Sequence, residues 1–182
     1  MKKTLSIVAL SSLLGLGAVE FKLDPSHSSV DFKIKHLLVS NVGGSFKKFD
    51  GRFDIDSKNK KINVLEGTIE ISSIDTGNAK RDEHLLSADF FNASKNPEGY
   101  FKMSKQEGNK LYGVLTLSGV SKEIVFNMEM SDVIIHPRTQ KEVIGLELRG
   151  KINRKDFGIG KSFLDSTVGD QVIITINLEL SK

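Results

Sequence analysis

Apolar and polar residues alternate with a period of two along most of this chain. In one segment Val30, Phe32 and Ile34 fall on one face, while Asp31 and Lys33 fall on the other. This alternation is typical of β-strands that bury one face. It recurs around residues 49–55, 65–71, 100–106, 111–117, 124–130, 144–152 and 172–180. The pattern therefore predicts about eight strands.

Short polar links join these segments, for example at residues 56–61, 107–109 and 136–141. Such links favour antiparallel pairing between strands that are neighbours in sequence. An open sheet of long strands would expose two edges, so closure is expected. We therefore predict an all-β fold with a single antiparallel eight-stranded barrel and one short helix in a long loop.

The apolar faces of the strands supply the predicted interior, since alternate residues point to the same side of a sheet. The chosen lining positions are Phe32, Ile34, Phe53, Ile69, Leu115, Phe126, Leu146, Ile174 and Ile176. Alternation alone does not say which face points inward, and an outer-membrane barrel would have it reversed. The lysines along the strands and the helix-bearing loop favour an apolar interior.

The segment 73–91 departs from the alternation. Asn78 can cap a helix, and Asp82 and Glu83 would sit in its first turn, where the helix dipole favours acids. We predict a short helix over residues 78–87. The following Phe90 and Phe91 would fold back on the barrel.

The first 18 residues read as a cleaved signal peptide, followed by one domain over residues 19–182. Lys2 and Lys3 precede a short apolar run that ends in small residues, although a buried N-terminal helix is an alternative. Cleavage would leave 24 basic and 23 acidic residues, a formal charge of +1. We expect a bacterial periplasmic or secreted protein with no integral membrane segment in its mature form.

Composition excludes several classes of function. The chain has no cysteine, which excludes disulfides, thiolate metal sites and a thiol nucleophile. A near-neutral mature charge argues against a nucleic-acid partner, which would need a basic surface. The four histidines show no local ligand spacing and no G-x-S-x-G motif is present. We therefore expect no metal and no cofactor, with a metal site assembled from distant strands as the alternative.

Polar clusters remain as candidates for a site at the mouth of the barrel. Their members are His27, His36, Arg81, Asp82, His84, Arg154 and Asp156. For each residue an ordinary structural role stays open, such as capping a turn or forming an ion pair. We expect Arg81 to be held by a carboxylate such as Asp82 or Asp156, because an Arg–carboxylate pair can fix a loop.

Several motifs together resemble the YceI-like family. They are DPSHS (24–28), VDFKIKH (30–36), SIDTGNAKRDEHLLSADFF (73–91), LTLSGVSK (115–122), NRKDFGIG (153–160) and VGDQVIITINLEL (168–180). The resemblance spans essentially the whole mature chain. It implies a lipocalin-like barrel outside the cytoplasm that holds a polyisoprenoid or another long-chain amphiphile, and it makes a homodimer plausible.

The leading interpretation is a protein that binds, and carries or stores, a long-chain lipid such as a polyisoprenoid, a quinone-like molecule or a fatty-acid derivative. An eight-stranded barrel can hold one small ligand or fill itself with side chains. One alternative is an enzyme acting on a bound lipid with Arg81, Asp82 and His84 as its polar groups. Another is an assembly protein with a filled interior.

Overall fold

The computed structural model describes residues 20–182, and the predicted signal peptide at residues 1–18 lies outside that part. Eleven strands are present. They are β1 (Glu20–His36), β2 (Ser40–Phe46), β3 (Phe49–Asp56), β4 (Lys61–Glu70), β5 (Ile74–Asp75), β6 (Glu98–Glu107), β7 (Lys110–Leu117), β8 (Val120–Met130), β9 (Ile134–Ile135), β10 (Glu142–Asn153) and β11 (Val168–Ser181). One helix, α1 (Ala79–Leu86), and two 3₁₀ turns, Ile71–Ser73 and Arg154–Phe157, complete the fold.

The strands form a closed antiparallel barrel, as predicted. The order is β11-β10-β8-β7-β6-β4-β3-β1, and β1 closes the circle by pairing with β11. β2 pairs with β1 over residues 30–36 and β3 pairs with Glu20 and Phe21, so β2 and β3 act as one interrupted strand. The short β5 and β9 add to β2 and β10 respectively.

The apolar faces point into the barrel. Phe32 of β1 lies opposite Ile174 of β11, and Leu148 of β10 lies opposite Ile176. Lys33 and Arg149 on the alternate positions are exposed. This arrangement is the reverse of an outer-membrane barrel, whose apolar residues face lipid.

The barrel interior is divided into two halves. Side chains fill the half nearest the turns at 57–60 and 108–109, which we call the closed half. It contains Phe21, Ile55, Ile62, Leu111, Ile144, Leu146 and Leu180, each at most 2% exposed. The half at the other end, the open half, leaves space between its side chains.

The predicted helix is present and begins where the sequence indicates. The Asn78 Oδ1 accepts a hydrogen bond from the Arg81 backbone N–H at 3.1 Å, which is the expected N-cap contact. The helix is two residues shorter than the predicted 78–87, because Asn78 and Ser87 are its non-helical caps.

Across residues 20–182, the helical segments are too short or too polar to span a lipid bilayer.

Candidate functional site

An apolar cavity of about 420 Å³ occupies the open half of the barrel. This volume lies within the range of about 300–1,000 Å³ that is usual for small-molecule sites. Eight of the nine predicted lining residues line it: Phe32, Ile34, Phe53, Ile69, Leu115, Phe126, Ile174 and Ile176. Leu146 does not. It lies near the start of β10 and packs in the closed half, so its predicted place in the cavity wall is corrected.

Aromatic side chains from outside the regular strand pattern complete the cavity wall. Phe46 ends β2 and contacts both Phe32 and Phe91, with ring centroids 5.8 and 6.0 Å apart. Phe90 and Phe163 stack at 4.9 Å. The sequence pattern placed Phe90 and Phe91 against the barrel but gave no signal for Phe163, which sits in an irregular loop.

The mouth of the cavity lies at the end of the barrel that carries α1. Three elements surround it: the turn between β1 and β2, the loop 158–167, and α1. Each contributes lining residues or their direct neighbours, among them His36, Thr167 and Arg81. His36 is exposed at this end, where the sequence analysis expected a polar group.

Arg81 is held by a threonine and not by a carboxylate. Its Nε donates to the Thr76 Oγ1 at 2.7 Å and its Nη2 donates to the Thr76 carbonyl at 2.8 Å. Asp82 accepts from the Thr76 N–H at 3.0 Å and from its hydroxyl. The expected Arg81–Asp82 or Arg81–Asp156 pair is therefore wrong, because Thr76 lies between the charges of Arg81 and Asp82 and takes both sets of contacts.

Arg81 retains hydrogen-bonding capacity toward the cavity. A guanidinium has five N–H donors, and two of them are used by Thr76. The other three find no acceptor within residues 20–182. Since Arg81 is half-buried and lines the cavity, these donors are available to a polar group inside it. Asp82 does not line the cavity, because its carboxylate turns toward Thr76.

His84 joins α1 to the loop 158–167. Its ring meets Phe90 edge-on at 5.0 Å and Phe163 at 5.8 Å. Its Nε2 lies 3.7 Å from the Asp89 carboxylate. The three rings form one aromatic cluster in the cavity wall. Within it the Phe90–Phe163 stack is an aromatic pair of the kind that contributes about 0.5–1.5 kcal/mol.

Arg154 is a clamp for the loop 158–167 and offers no free N–H donor to a ligand. It is 2% exposed, and its Nε donates to the Gly169 carbonyl at 3.0 Å. The remaining four N–H groups reach the carbonyls of Ile159, Gly160, Phe163 and Val168. All five donors are therefore satisfied. The sequence analysis expected Arg154 to make a polar contact with the ligand, and this expectation is corrected. Arg154 lies beside the cavity, but its N–H groups donate to backbone carbonyls.

The carboxylate beside Arg154 is Asp170, a residue that the sequence analysis missed. The Asp170 Oδ1 lies 3.1 Å from the Arg154 Nη2 and 3.3 Å from the Lys155 Nζ. Asp156, the acid close to Arg154 in sequence, is exposed and does not line the cavity. Asp170 lies at the start of β11, and the pairing of β11 with β10 brings it beside Arg154.

His27 lies outside the cavity, on the outer surface of the seam between β1 and β11. A bulge between Asp24 and Ser29 turns its side chain toward Asp24, with 3.0 Å between the His27 Nδ1 and the Asp24 Oδ2. The Glu179 carboxylate is 3.8 Å from the same nitrogen. The predicted position at the mouth is therefore wrong, because the bulge re-aims the side chain outward.

Hydrogen bonds explain the ionisation of this pair. Donation from the Ser26 hydroxyl, then from His27 and the Ser26 N–H, lowers the pKa of Asp24 to about 2. The hydrogen bond to Asp24 and the charges of Asp24 and Glu179 raise the pKa of His27. Asp24, His27 and Glu179 are the one set of three possible metal-ligating groups between residues 20 and 182, and their contacts are those of an ion pair.

Comparison with known proteins gives consistent matches along the chain. The family model described as a YceI-like domain matches residues 21–180. Protein YceI of Salmonella newport (strain SL254) is 38% identical over 186 residues, covering 97% of each chain.

Solved structures that share the fold include two that differ widely in sequence identity. The YCEI protein of Campylobacter jejuni has a TM-score of 0.76 at 40% identity, covering 82% of this chain and 90% of that one. A domain from Saccharophagus degradans, described as polyisoprenoid binding and implicated in plant cell wall breakdown, has a TM-score of 0.69 at 14% identity. It covers 88% of this chain and 97% of that domain.

Proposed function

The chain belongs to the YceI-like family, and from that premise we propose that it binds one long-chain amphiphile, with the apolar chain inside the barrel. The observation that carries the proposal is the apolar cavity of about 420 Å³, which opens at one end of the barrel and is closed at the other. Burial of each methylene contributes roughly 0.8 kcal/mol. A long apolar chain would therefore bind with few polar contacts.

The amphiphile is a polyisoprenoid or a fatty-acid derivative. Support for the first comes from the structural relative described as a polyisoprenoid-binding domain. The wall residues are aliphatic and aromatic side chains with little hydrogen-bonding capacity, which suits either chain type. A quinone-like head group remains within the same class.

The head group carries hydrogen-bond acceptors and lies near Arg81. Three N–H donors of Arg81 are without an acceptor in the described chain, and a carboxylate, phosphate or carbonyl would satisfy them. The two donors bonded to Thr76 hold the guanidinium in place before the ligand arrives. His36 offers a further polar contact at the exposed end of the mouth.

The protein carries or stores this ligand outside the cytoplasm. The support is the signal-peptide pattern of residues 1–18, with Lys2, Lys3 and a short apolar run. We take its action to be binding without chemical conversion, and the support is that Arg81 and Asp82 each bond to Thr76 and do not pair with each other in the described chain.

Extraction of the protein purified from its native cell tests this function. The organic extract is examined by mass spectrometry, and the expected result is one lipid per protein chain. A set of conversion products would favour the lipid enzyme instead. An empty extract, together with no binding of farnesol or of the fluorescent fatty acid cis-parinaric acid, would contradict the proposal.

The Arg81→Gln variant tests the position of the head group. Affinity for palmitate should fall about tenfold or more, because a charge-assisted hydrogen bond contributes about 1.5–3 kcal/mol. Affinity for hexadecane, which has the same chain and no head group, should not change. Equal losses for both ligands would show that Arg81 acts only through the fold.

A further inference from the structure

The turn between β1 and β2 exposes three large apolar residues in succession. Leu37, Leu38 and Val39 are 53, 67 and 81% exposed, and we call them the apolar tip. The backbone at the tip is unusual as well. Leu37 and Leu38 have φ of 50° and 60°, and the Val39 N–H closes the turn on the His36 carbonyl at 3.2 Å.

Folding alone does not account for leucine at these positions. A turn with positive φ at both central residues favours Asn-Gly, since a Cβ is disfavoured in the left-handed region. The apolar tip therefore combines an unfavourable backbone conformation with large apolar side chains that are exposed to solvent. A local cost that persists in a fold points to a role for the side chains.

The tip lies at the mouth of the cavity. The Leu37 N–H donates to the Thr167 carbonyl at 3.1 Å, and the Thr167 N–H bonds to the Leu164 carbonyl at 2.9 Å. Leu164 is itself 72% exposed. Thr167 and His36 line the cavity, so the apolar residues border its opening.

The hairpin that carries the tip is basic. Residues 32–49 contain four lysines and no acidic residue. Lys47 and Lys48 form ion pairs with Asp75 and Glu70, whereas Lys33 and Lys35 have no acidic partner in the described chain. Apolar side chains with cationic neighbours are the combination that binds an anionic lipid surface.

We propose that the apolar tip and Leu164 insert into the surface of an anionic phospholipid bilayer, with the cavity mouth facing the membrane. The apolar residues enter the boundary between head groups and acyl chains, and Lys33 and Lys35 attract the anionic head groups. A ligand can then pass between the bilayer and the cavity with little exposure to water. The reason for docking, transfer of the ligand, rests on the proposed function. Binding of the protein to vesicles can be measured whether or not that function is correct.

The test is co-sedimentation of residues 19–182 with vesicles of phosphatidylglycerol and phosphatidylethanolamine. The protein should bind these vesicles, bind phosphatidylcholine vesicles less, and bind less in high salt, since screening weakens surface charge attraction. The double variant L37N/L38G should lose about tenfold or more of its vesicle binding, because the two apolar side chains that enter the bilayer are removed.

Two controls separate docking from damage to the fold. The L37N/L38G variant should melt at the same temperature as the parent protein or higher, because Asn-Gly suits the turn. The variant I134S/I135S removes two apolar residues that are similarly exposed at the opposite end of the barrel. It should bind vesicles as the parent does.

Three results would overturn the proposal: no binding of the parent protein to anionic vesicles, full binding by L37N/L38G, or an equal loss in I134S/I135S. Analytical ultracentrifugation distinguishes a second occupant. If L37N/L38G converts a dimer to a monomer and leaves vesicle binding unchanged, the tip is a contact between copies of this chain. Binding of cis-parinaric acid, measured separately, decides the cavity function.

Discussion

At the residue scale, two arginines near the same cavity have different tasks because of their partners. Arg81 uses two N–H donors on Thr76 and keeps three for a ligand. Arg154 uses all five on backbone carbonyls of the segment 159–169. Residue type predicts neither role, since the number of free donors depends on what surrounds the side chain.

Replacement of Arg154 should unfold the protein more easily than replacement of an exposed arginine. Arg154→Gln deprives five backbone carbonyls of their charged donor and removes the guanidinium beside Asp170, and breaking a buried ion pair costs about 3–5 kcal/mol. Arg149→Gln on β10 is a matched control, since that side chain is 65% exposed and its ion pair with Glu147 contributes at most about 1 kcal/mol. Urea unfolding measures both, and equal effects would contradict the clamp.

At the element scale, the irregular segments hold the site together. α1 and the loop 158–167 meet through His84, Phe90 and Phe163, and Gly160 completes the contact. Gly160 has φ of +57°, and a Cβ there would lie 2.8 Å from the Phe90 ring. Glycine is therefore required by both the backbone conformation and the close approach.

The variant Gly160→Ala should open the contact between α1 and the loop. The added methyl group strains the left-handed backbone and displaces Phe90, so bound cis-parinaric acid should dissociate faster. Stopped-flow fluorescence measures the rate. Gly108→Ala is the control for a positive-φ glycine, because a Cβ at Gly108 meets nothing within 4 Å. If both variants release ligand at the parent rate, the contact does not retain it.

The bulge in β1 makes the stability of the β1–β11 seam depend on pH. The raised pKa of His27 means that the protonated ring stabilises the fold. This contribution is complete below the ordinary histidine pKa of 6.5 and is lost as pH rises through the raised value. Asp24 also stabilises the fold, but its pH dependence runs the other way: the contribution is present above 3.8 and is lost as pH falls through about 2.

The variant His27→Gln should therefore weaken the fall of stability with rising pH on the alkaline side of the pH profile. As pH rises above 6.5 and through the raised pKa of His27, the melting temperature of the parent should fall more than that of the variant. Asp24→Asn should reduce the same pH dependence, although Glu179 still acts on His27 in that variant. The double variant should add nothing to His27→Gln over this pH range, because the two groups share one hydrogen bond. Additive effects would contradict a shared contact.

At the scale of the whole molecule, the side chains that stabilise the fold and those that line the cavity lie in different halves of the barrel. The closed half supplies tightly packed side chains such as Leu146, Ile144 and Leu180. The open half keeps Ile174 and Ile176 partly uncovered around the cavity. One sheet can do both because its strands extend through both halves.

Matched truncations in the two halves should separate these properties. Leu146→Ala should cost about 2–5 kcal/mol of unfolding free energy, because it leaves a cavity in a packed region. It should leave the affinity for cis-parinaric acid unchanged. Ile174→Ala should cost less stability and alter that affinity. Chemical denaturation and fluorescence titration measure the two quantities, and an equal stability loss in both variants would contradict the division.

The lysines along the strands indicated which face points inward. Beyond that, the sequence by itself determined the barrel, its antiparallel order and the start of α1. These features follow from alternation and capping, which are local and need only neighbouring residues. Eight of the nine predicted wall positions line the cavity for the same reason.

Only the tertiary structure decided how deep the cavity reaches and what each polar side chain contacts. Leu146 alternates like Leu148, yet the first fills the closed half and the second lines the cavity, since packing across the barrel sets the difference. Arg81 contacts Thr76 within the same loop, and Arg154 contacts Asp170 at the start of the next strand, and strand alternation predicts neither contact. A period of two assigns a side chain to a face, but its partners depend on strand pairing and loop closure.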